Sequence, residues 1–295
     1  MGNYVLENDE LKITVSGHGA ELASIRDQKS ALEYLWNGDE KYWGRRAPVL
    51  FPFVGMVKNK QYIYNGKTYT MGQHGFARDM DFDCIRQDKD CLWFRLCSDE
   101  ETLSKYPFEF CLEIGYVLKG RDLTVLWKVT NPSDQTMYFS IGAHPAFMCP
   151  LKADEKQWDY FIDFHTDQDI SYNLIKQDGL VGIYGERLAL DKGICPIHPH
   201  MFDRDALIVE NEQSHCVSLL DPDKRPYVTV EFDAPLFGIW SPTGKNAPFV
   251  CIEPWYGRCD AVDFQGTLKD RAYEQVLEGH QVFSREYVIR IHESR

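Results

Sequence analysis

Gln61-Tyr62-Ile63-Tyr64-Asn65-Gly66-Lys67-Thr68-Tyr69-Thr70 is the stretch that decides the reading of this sequence. Two runs rich in aromatic and β-branched residues flank Asn-Gly, the dipeptide that supplies both positive-φ positions of a tight hairpin turn. Two antiparallel strands are therefore predicted here. Outward from the hairpin the same signal repeats as short period-two segments, broken every ten residues or so by turn formers. Residues 11–15, 91–96, 109–118, 123–129, 217–220 and 227–232 are predicted strands. Helical periodicity is scarce; residues 99–104 are read as one or two turns that end before Pro107. The 14 prolines and 21 glycines are spread along the chain, and no linker, repeat or low-complexity run divides it. Residues 1–295 are accordingly read as one all-β domain, a large antiparallel sandwich whose loops or concave face carry the site.

A chain of this length with 44% hydrophobic residues buries roughly three quarters of its unfolded surface, so its core needs no staple. Its 32 basic and 45 acidic residues give a formal charge of -13, which repels phosphate backbones and anionic headgroups. Nucleic acid and membrane partners are excluded on that ground. The nine cysteines mostly stand in apolar runs such as Phe249-Val250-Cys251-Ile252 and read as buried thiols of a reducing cytosol. Charge arrives by Glu7, no apolar run reaches the roughly 18 residues of a membrane span, and Leu6 breaks the acylation pattern after Met1-Gly2. A cytoplasmic protein without leader or anchor is expected.

Four segments do not look like scaffold. In Tyr42-Trp43-Gly44-Arg45-Arg46-Ala47-Pro48-Val49-Leu50-Phe51-Pro52, two arginines enter an apolar and aromatic run. Arg45 could hold sugar hydroxyls while Trp43 or Phe51 offers an apolar face, or it could make a structural salt bridge. Gly72-Gln73-His74-Gly75-Phe76-Ala77-Arg78-Asp79 sets a histidine beside glycine. Glycine frees the backbone and leaves the imidazole accessible, so His74 either bonds a substrate oxygen, braced by Arg78 and Asp79, or is a plain loop residue. In Ser140-Ile141-Gly142-Ala143-His144-Pro145 the proline fixes the chain direction, which holds His144 as a general acid must be held; a satisfied, partly buried histidine is the alternative. Glu253, between Phe249-Val250-Cys251-Ile252 and Pro254-Trp255, is either an edge-strand residue facing water or a desolvated carboxyl with a raised pKa. Trp255 beside it favours a sugar cleft, because indole faces stack on pyranose C–H surfaces.

In this order and at these separations the four segments resemble the galactose mutarotase-like family, the aldose 1-epimerases and their relatives. The signatures are Trp-x-Arg-x-x-Pro-x-Leu-Phe-Pro at Trp43 to Pro52, His-Gly-Phe-Ala-Arg at His74 to Arg78, Ala143-His144-Pro145, and Ile252-Glu253-Pro254-Trp255. The closest look is to the shorter branch that carries these signatures. The resemblance implies a β-supersandwich with sugar in a shallow groove, Glu253 as general base at the anomeric hydroxyl and His144 as general acid at the ring oxygen. It further implies that His74 bonds the ring or anomeric oxygen and that Arg45 anchors the sugar. An aspartate that contacts sugar hydroxyls in galactose mutarotases is matched loosely by Asp203 or Asp205. Arg45 has Gly44 and Arg46 as neighbours where those enzymes carry an asparagine.

Such chemistry moves two protons without redox change or nucleophile, so no metal, nucleotide or other cofactor is expected. Cys195-Pro196-Ile197-His198-Pro199-His200 lacks a second ligand cluster and is read as a structural loop, and no Gly-x-Gly-x-x-Gly, phosphate-binding lysine loop or Gly-x-Ser-x-Gly elbow occurs. A hexose 6-phosphate 1-epimerase would need basic groups around the C6 end, for which Arg46, Arg78 and Lys58 are candidates. A non-catalytic sugar-binding or regulatory protein, and a glycoside hydrolase with two carboxylates, are the other readings. A homodimer through unblunted edge strands stays open.

Overall fold

The structure, a computed structural model, describes residues 2–293. Two large sheets dominate it. One has nine strands in the order Ile194–Pro196, Phe161–Asp163, Cys216–Leu220, Pro226–Phe232, Val282–Ile291, Asp122–Thr130, Cys111–Lys119, Cys91–Cys97 and Asp83–Gln87. The other has eight; its path runs Glu186–Leu188, Ile170–Leu174, Leu207–Val209, Leu236–Trp240, Phe249–Tyr256, Ile141–Ala143 and Val49–Leu50, and Ala146–Met148 joins it as a second partner of Phe249–Tyr256. The ladders are antiparallel. This is the all-β sandwich that the period-two segments predict.

Strand Asp122–Thr130 shows why the nine-stranded sheet forms. Leu123, Val125, Trp127 and Val129 point inward and are buried, while Asp122, Thr124, Leu126, Lys128 and Thr130 face partly outward. Alternation lets one face bury apolar surface, roughly 1.5–3 kcal/mol for each large side chain, while the other stays hydrated. The inward residues meet Val250, Ile252 and Tyr256 of the eight-stranded sheet in one continuous core.

The predicted hairpin is present as Gln61–Tyr64 and Lys67–Thr70, with Asn65 and Gly66 both at positive φ. The predicted helical turn is Glu100–Lys105, capped by Asp99, whose side chain accepts from the Thr102 amide. Sheet and sandwich aside, the feature that places the site is strand Phe249–Tyr256, buried along its whole length. Its Val250, Ile252 and Tyr256 enter the main core. Phe249, Cys251 and Trp255 point the other way, into two smaller apolar clusters that loops lay over the sheet. Glu253 shares that second face.

Candidate active site

Two short strands pair with different ends of Phe249–Tyr256. Ile141 and Gly142 lie opposite Tyr256 and Trp255, and Ala146 to Met148 lie opposite Cys251 to Phe249. The gap between them is His144-Pro145, where proline has no amide to give to a ladder. Glu253 falls in that gap, and His144 Nε2 stands 3.3 Å from Glu253 Oε2. Both side chains line a cavity of about 260 Å³. Pockets for drug-sized ligands run to about 300–1,000 Å³, so this one suits something small.

His144 is boxed in. Trp43 stacks on its ring at 4.7 Å between centroids, Trp240 meets it edge-on at 5.3 Å, and His74 meets it edge-on at 5.6 Å. Trp43 is itself held, since the Trp36 indole N–H donates to its carbonyl at 2.9 Å. Burial, followed by the nearby positive charge of Arg78, pushes His144 down to about 3, so the imidazole is neutral near neutral pH. Glu253 is 1% exposed. Burial first and the Asp205 carboxylate second hold it well above the usual carboxylate range, against a smaller opposing effect of the Trp255 indole. Its Oε2 makes no hydrogen bond among the described residues.

His74 takes φ +66°, a left-handed geometry that a non-glycine residue holds only when its surroundings impose it. Its amide donates to the Gly55 carbonyl at 2.8 Å, and the Gly55 amide donates to His74 Nδ1 at 3.1 Å. Because Nδ1 accepts, the ring proton of the neutral imidazole sits on Nε2. His74 is thus a fixed donor, and burial followed by His144, Arg78 and Arg45 keeps it neutral by pushing its pKa down. Gly55 has to be glycine: a Cβ there would lie 2.5 Å from the Cβ of Cys259.

The cavity therefore joins His74, Arg78, His144, Asp205, Glu253 and Trp255. It does not include Arg45, whose Nη2 lies 2.6 Å from Asp79 Oδ1, the salt-bridge alternative. Arg78, with Nε 3.8 Å from the same carboxylate and Nη2 donating to the Gln73 carbonyl at 2.8 Å, is the arginine on the wall. Phe51 offers no face to a ligand, being fully buried in the main core, and His74 is not freely accessible, being 8% exposed. Trp255 is 5% exposed and wedged where Gly142 and Gly238 leave room; a Cβ on either would meet its ring at 2.6 Å. The open aromatic surface comes from Trp43 and from Trp240, which the sequence reading passed over. Trp240 ends a segment, Leu236-Phe237-Gly238-Ile239-Trp240, whose buried pattern on both faces hides any alternation. Between the two aspartates the structure chooses Asp205 for the cavity; Asp203 sits on the surface beside His200 at 2.9 Å.

Residues 2–263 match the profile of a family described as aldose 1-epimerase. The chain belongs to the aldose 1-epimerase family. Within it, the plasmid-encoded LacX protein of Lactococcus lactis is 32% identical over 275 residues, covering 90% of this chain and 91% of that protein. A galactose mutarotase related enzyme from Lactobacillus acidophilus superposes with a TM-score of 0.93 at 36% identity, covering 99% of this chain and 98% of the other. A galactose mutarotase-like protein from Lactobacillus casei gives 0.92 at 31% identity over 99% of this chain and 100% of its own. The β-sandwich is the fold of these family members, as the four sequence signatures imply.

Proposed function

We propose that this epimerase-family protein is a mutarotase that interconverts the α and β anomers of an unphosphorylated hexose by general acid–base catalysis. The observation that carries the reading is the His144–Glu253 pair, 3.3 Å apart at one cavity, with His144 Nδ1 and Glu253 Oε2 making no hydrogen bond among the described residues. In the sugar complex the pair's one proton first passes from the Glu253 carboxyl to the neutral His144 across their 3.3 Å separation; Glu253 then takes the proton of the anomeric hydroxyl while His144 gives one to the ring oxygen, and the C1–O5 bond breaks to leave an aldehyde. Rotation about C1–C2 presents the other carbonyl face. The two groups then reverse their roles and the ring closes.

Opening leaves Glu253 protonated and His144 neutral. Burial favours that same arrangement, since it raises the carboxyl and lowers the imidazole. The site's electrostatics therefore favour the open-chain intermediate over the ion-paired state that precedes it. His74 Nε2–H and the Arg78 guanidinium serve as donors to sugar oxygens, Asp205 as an acceptor, and Trp43 and Trp240 cover the C–H surface.

The charges on the wall support an unphosphorylated substrate. Of the three basic candidates, Arg46 Nε donates to the Asn37 carbonyl at 2.9 Å, and Lys58 Nζ donates to the Phe264 carbonyl at 2.8 Å. Of these only Arg78 lines the cavity, whose lining also carries the carboxyl groups of Asp205 and Glu253. Polarimetry of freshly dissolved α-D-glucose and α-D-galactose tests the reading, with Glu253→Gln as control. Acceleration that disappears in the variant is expected. Equal acceleration by the variant removes Glu253 from its role, and none with either sugar removes the mutarotase reading.

A further inference from the structure

We propose that His144, Cys251 and Glu253 form a binding site for one borderline-soft divalent metal ion of the Zn²⁺ class, and that filling it switches the acid–base pair off. Cys251 and Glu253 stand two apart on strand Phe249–Tyr256, so their side chains leave the same face. His144 comes from the gap opposite. One donor atom from each, imidazole nitrogen, thiol sulfur and carboxyl oxygen, lies within 4.8 Å of the other two.

The 3.3 Å between His144 Nε2 and Glu253 Oε2 is the edge of a tetrahedron whose metal bonds are about 2.0–2.1 Å. With a zinc–sulfur bond of about 2.3 Å, the sulfur has to approach its partners to about 3.6 Å, a shift of at most about 1.2 Å from the 4.8 Å limit. Independently of that geometry, the carboxyl oxygen aimed at the site is unsatisfied. Glu253 Oε2 has no hydrogen-bond partner among the described residues although the side chain is almost wholly buried. An orphaned buried acceptor is costly, and a cation between it and the imidazole removes the cost.

Three protein donors leave the fourth position facing the cavity, as in zinc sites that keep one position for water or substrate. Sulfur and imidazole select Zn²⁺ or Co²⁺ over Mg²⁺ and Ca²⁺. On binding, the thiol and the carboxylic acid release their protons to solvent. The inhibitory half of the proposal rests on the mutarotase reading, because a metal-bound imidazole and carboxylate can no longer exchange protons with a sugar. No role in turnover falls to Cys251, which packs beside Phe249 and Trp36.

The test uses metal-free full-length protein, titrated with Co²⁺ and followed by absorbance, with Cys251→Ala and Cys251→Val as variants. One equivalent should produce a near-ultraviolet sulfur-to-cobalt band in the wild type that Zn²⁺ displaces and that both variants lack. In polarimetry Zn²⁺ should inhibit the wild type, a chelator should restore it, and each variant should need at least about 100-fold more metal, since even outer-shell losses cost 10–100-fold. Metal-free rates of the variants should stay within about threefold of wild type. A wild type without the band, or variants inhibited at the same Zn²⁺ concentration, overturns the metal site. The band with no mutarotation of any sugar keeps the site and removes the activity reading instead.

Discussion

The two large sheets share antiparallel pairing and one core, yet their outer faces are used in opposite ways. In the nine-stranded sheet, strand Val282–Ile291 turns Ser284, Arg285 and Glu286 to water, and strand Asp122–Thr130 alternates without a break. In the eight-stranded sheet, strand Phe249–Tyr256 has no exposed residue, because loops cover its outer face and enclose the cavity there. A carboxylate on the first face is a solubilising group. On the second it is desolvated, its pKa is raised, and it can do chemistry.

The sharpest way to break this comparison is a pair of identical substitutions. Glu253→Gln should lower kcat/KM for mutarotation by about 10³-fold, the usual size for losing a positioned acid–base group. Glu286→Gln, on the exposed face, should leave the rate unchanged within twofold and stability within about 0.5 kcal/mol. Equal effects, read by polarimetry and urea unfolding, would erase the distinction between the faces.

Arg121 sharpens it from the structural side. Its Nη2 lies 2.7 Å from Asp27 Oδ2 and its Nη1 3.0 Å from Glu10 Oε2, and its Nε donates to the Ile291 carbonyl. This ties the turn before Asp122 to the small sheet of Asn3–Glu7, Leu11–Ser16 and Leu22–Asp27. Arg121→Ala should cost about 3 kcal/mol in denaturant unfolding, because it strands the buried Asp27 carboxylate, with kcat unaffected. The Asp27 carboxyl is held at about 2: burial pushes it up, but the Ser30 amide, Arg121 and the Lys29 amide outweigh that. A depressed pKa stabilises the fold above the ordinary value of about 3.9 and loses that contribution as pH falls toward 2. The variant should show a shallower acid dependence.

Glycines give the next smaller contrast. A Cβ at Gly238 would meet the buried Trp255 ring at 2.6 Å, and one at Gly115 would meet the partly exposed Trp93 at 2.7 Å. Gly238→Ala should cost about 2 kcal/mol, within the range for overpacking a tight interior. Gly115→Ala should cost less, about 1 kcal/mol or below, because Trp93 has water to move into. Thermal unfolding of both variants reads the difference.

The smallest expected signal lies in the pH profile. An exposed pair would lose its one shared proton as pH passes the ordinary histidine value of about 6.5. Here the second protonation, on His144, waits until about 3, and the departing proton is held by Glu253 with its raised pKa. Free-enzyme kcat/KM should therefore hold its value as pH falls through the ordinary glutamate range near about 4.3 and drop only toward 3; an acid fall centred near about 4.3 would mean that the pair titrates as if in water.

The same contrast explains what the sequence discloses. Where one face is wet, period-two alternation is visible, as in residues 123–129, and the Asn65-Gly66 turn carries its own geometry. Strands two or three residues long, such as Val49–Leu50 and Ile141–Ala143, are too short to alternate. Where both faces are buried the alternation vanishes, which hides Trp240 while making Glu253 conspicuous as a lone charge in an apolar run. The Arg45–Asp79 pair joins residues 34 positions apart, and no local pattern encodes such a partner. Nor does alternation say whether a second layer covers a side chain, so the orientation of Phe51 and Trp255 comes from the structure alone.

Trp43, stacked on the His144 ring, and Trp240, edge-on to both, give the cavity a fluorophore of its own. A sugar seated there displaces water from both indoles and changes the polarity that sets their emission, so occupancy registers as a shift in intrinsic fluorescence without any label. Three of the seven tryptophans of the chain, Trp43, Trp240 and the more deeply buried Trp255, line this cavity.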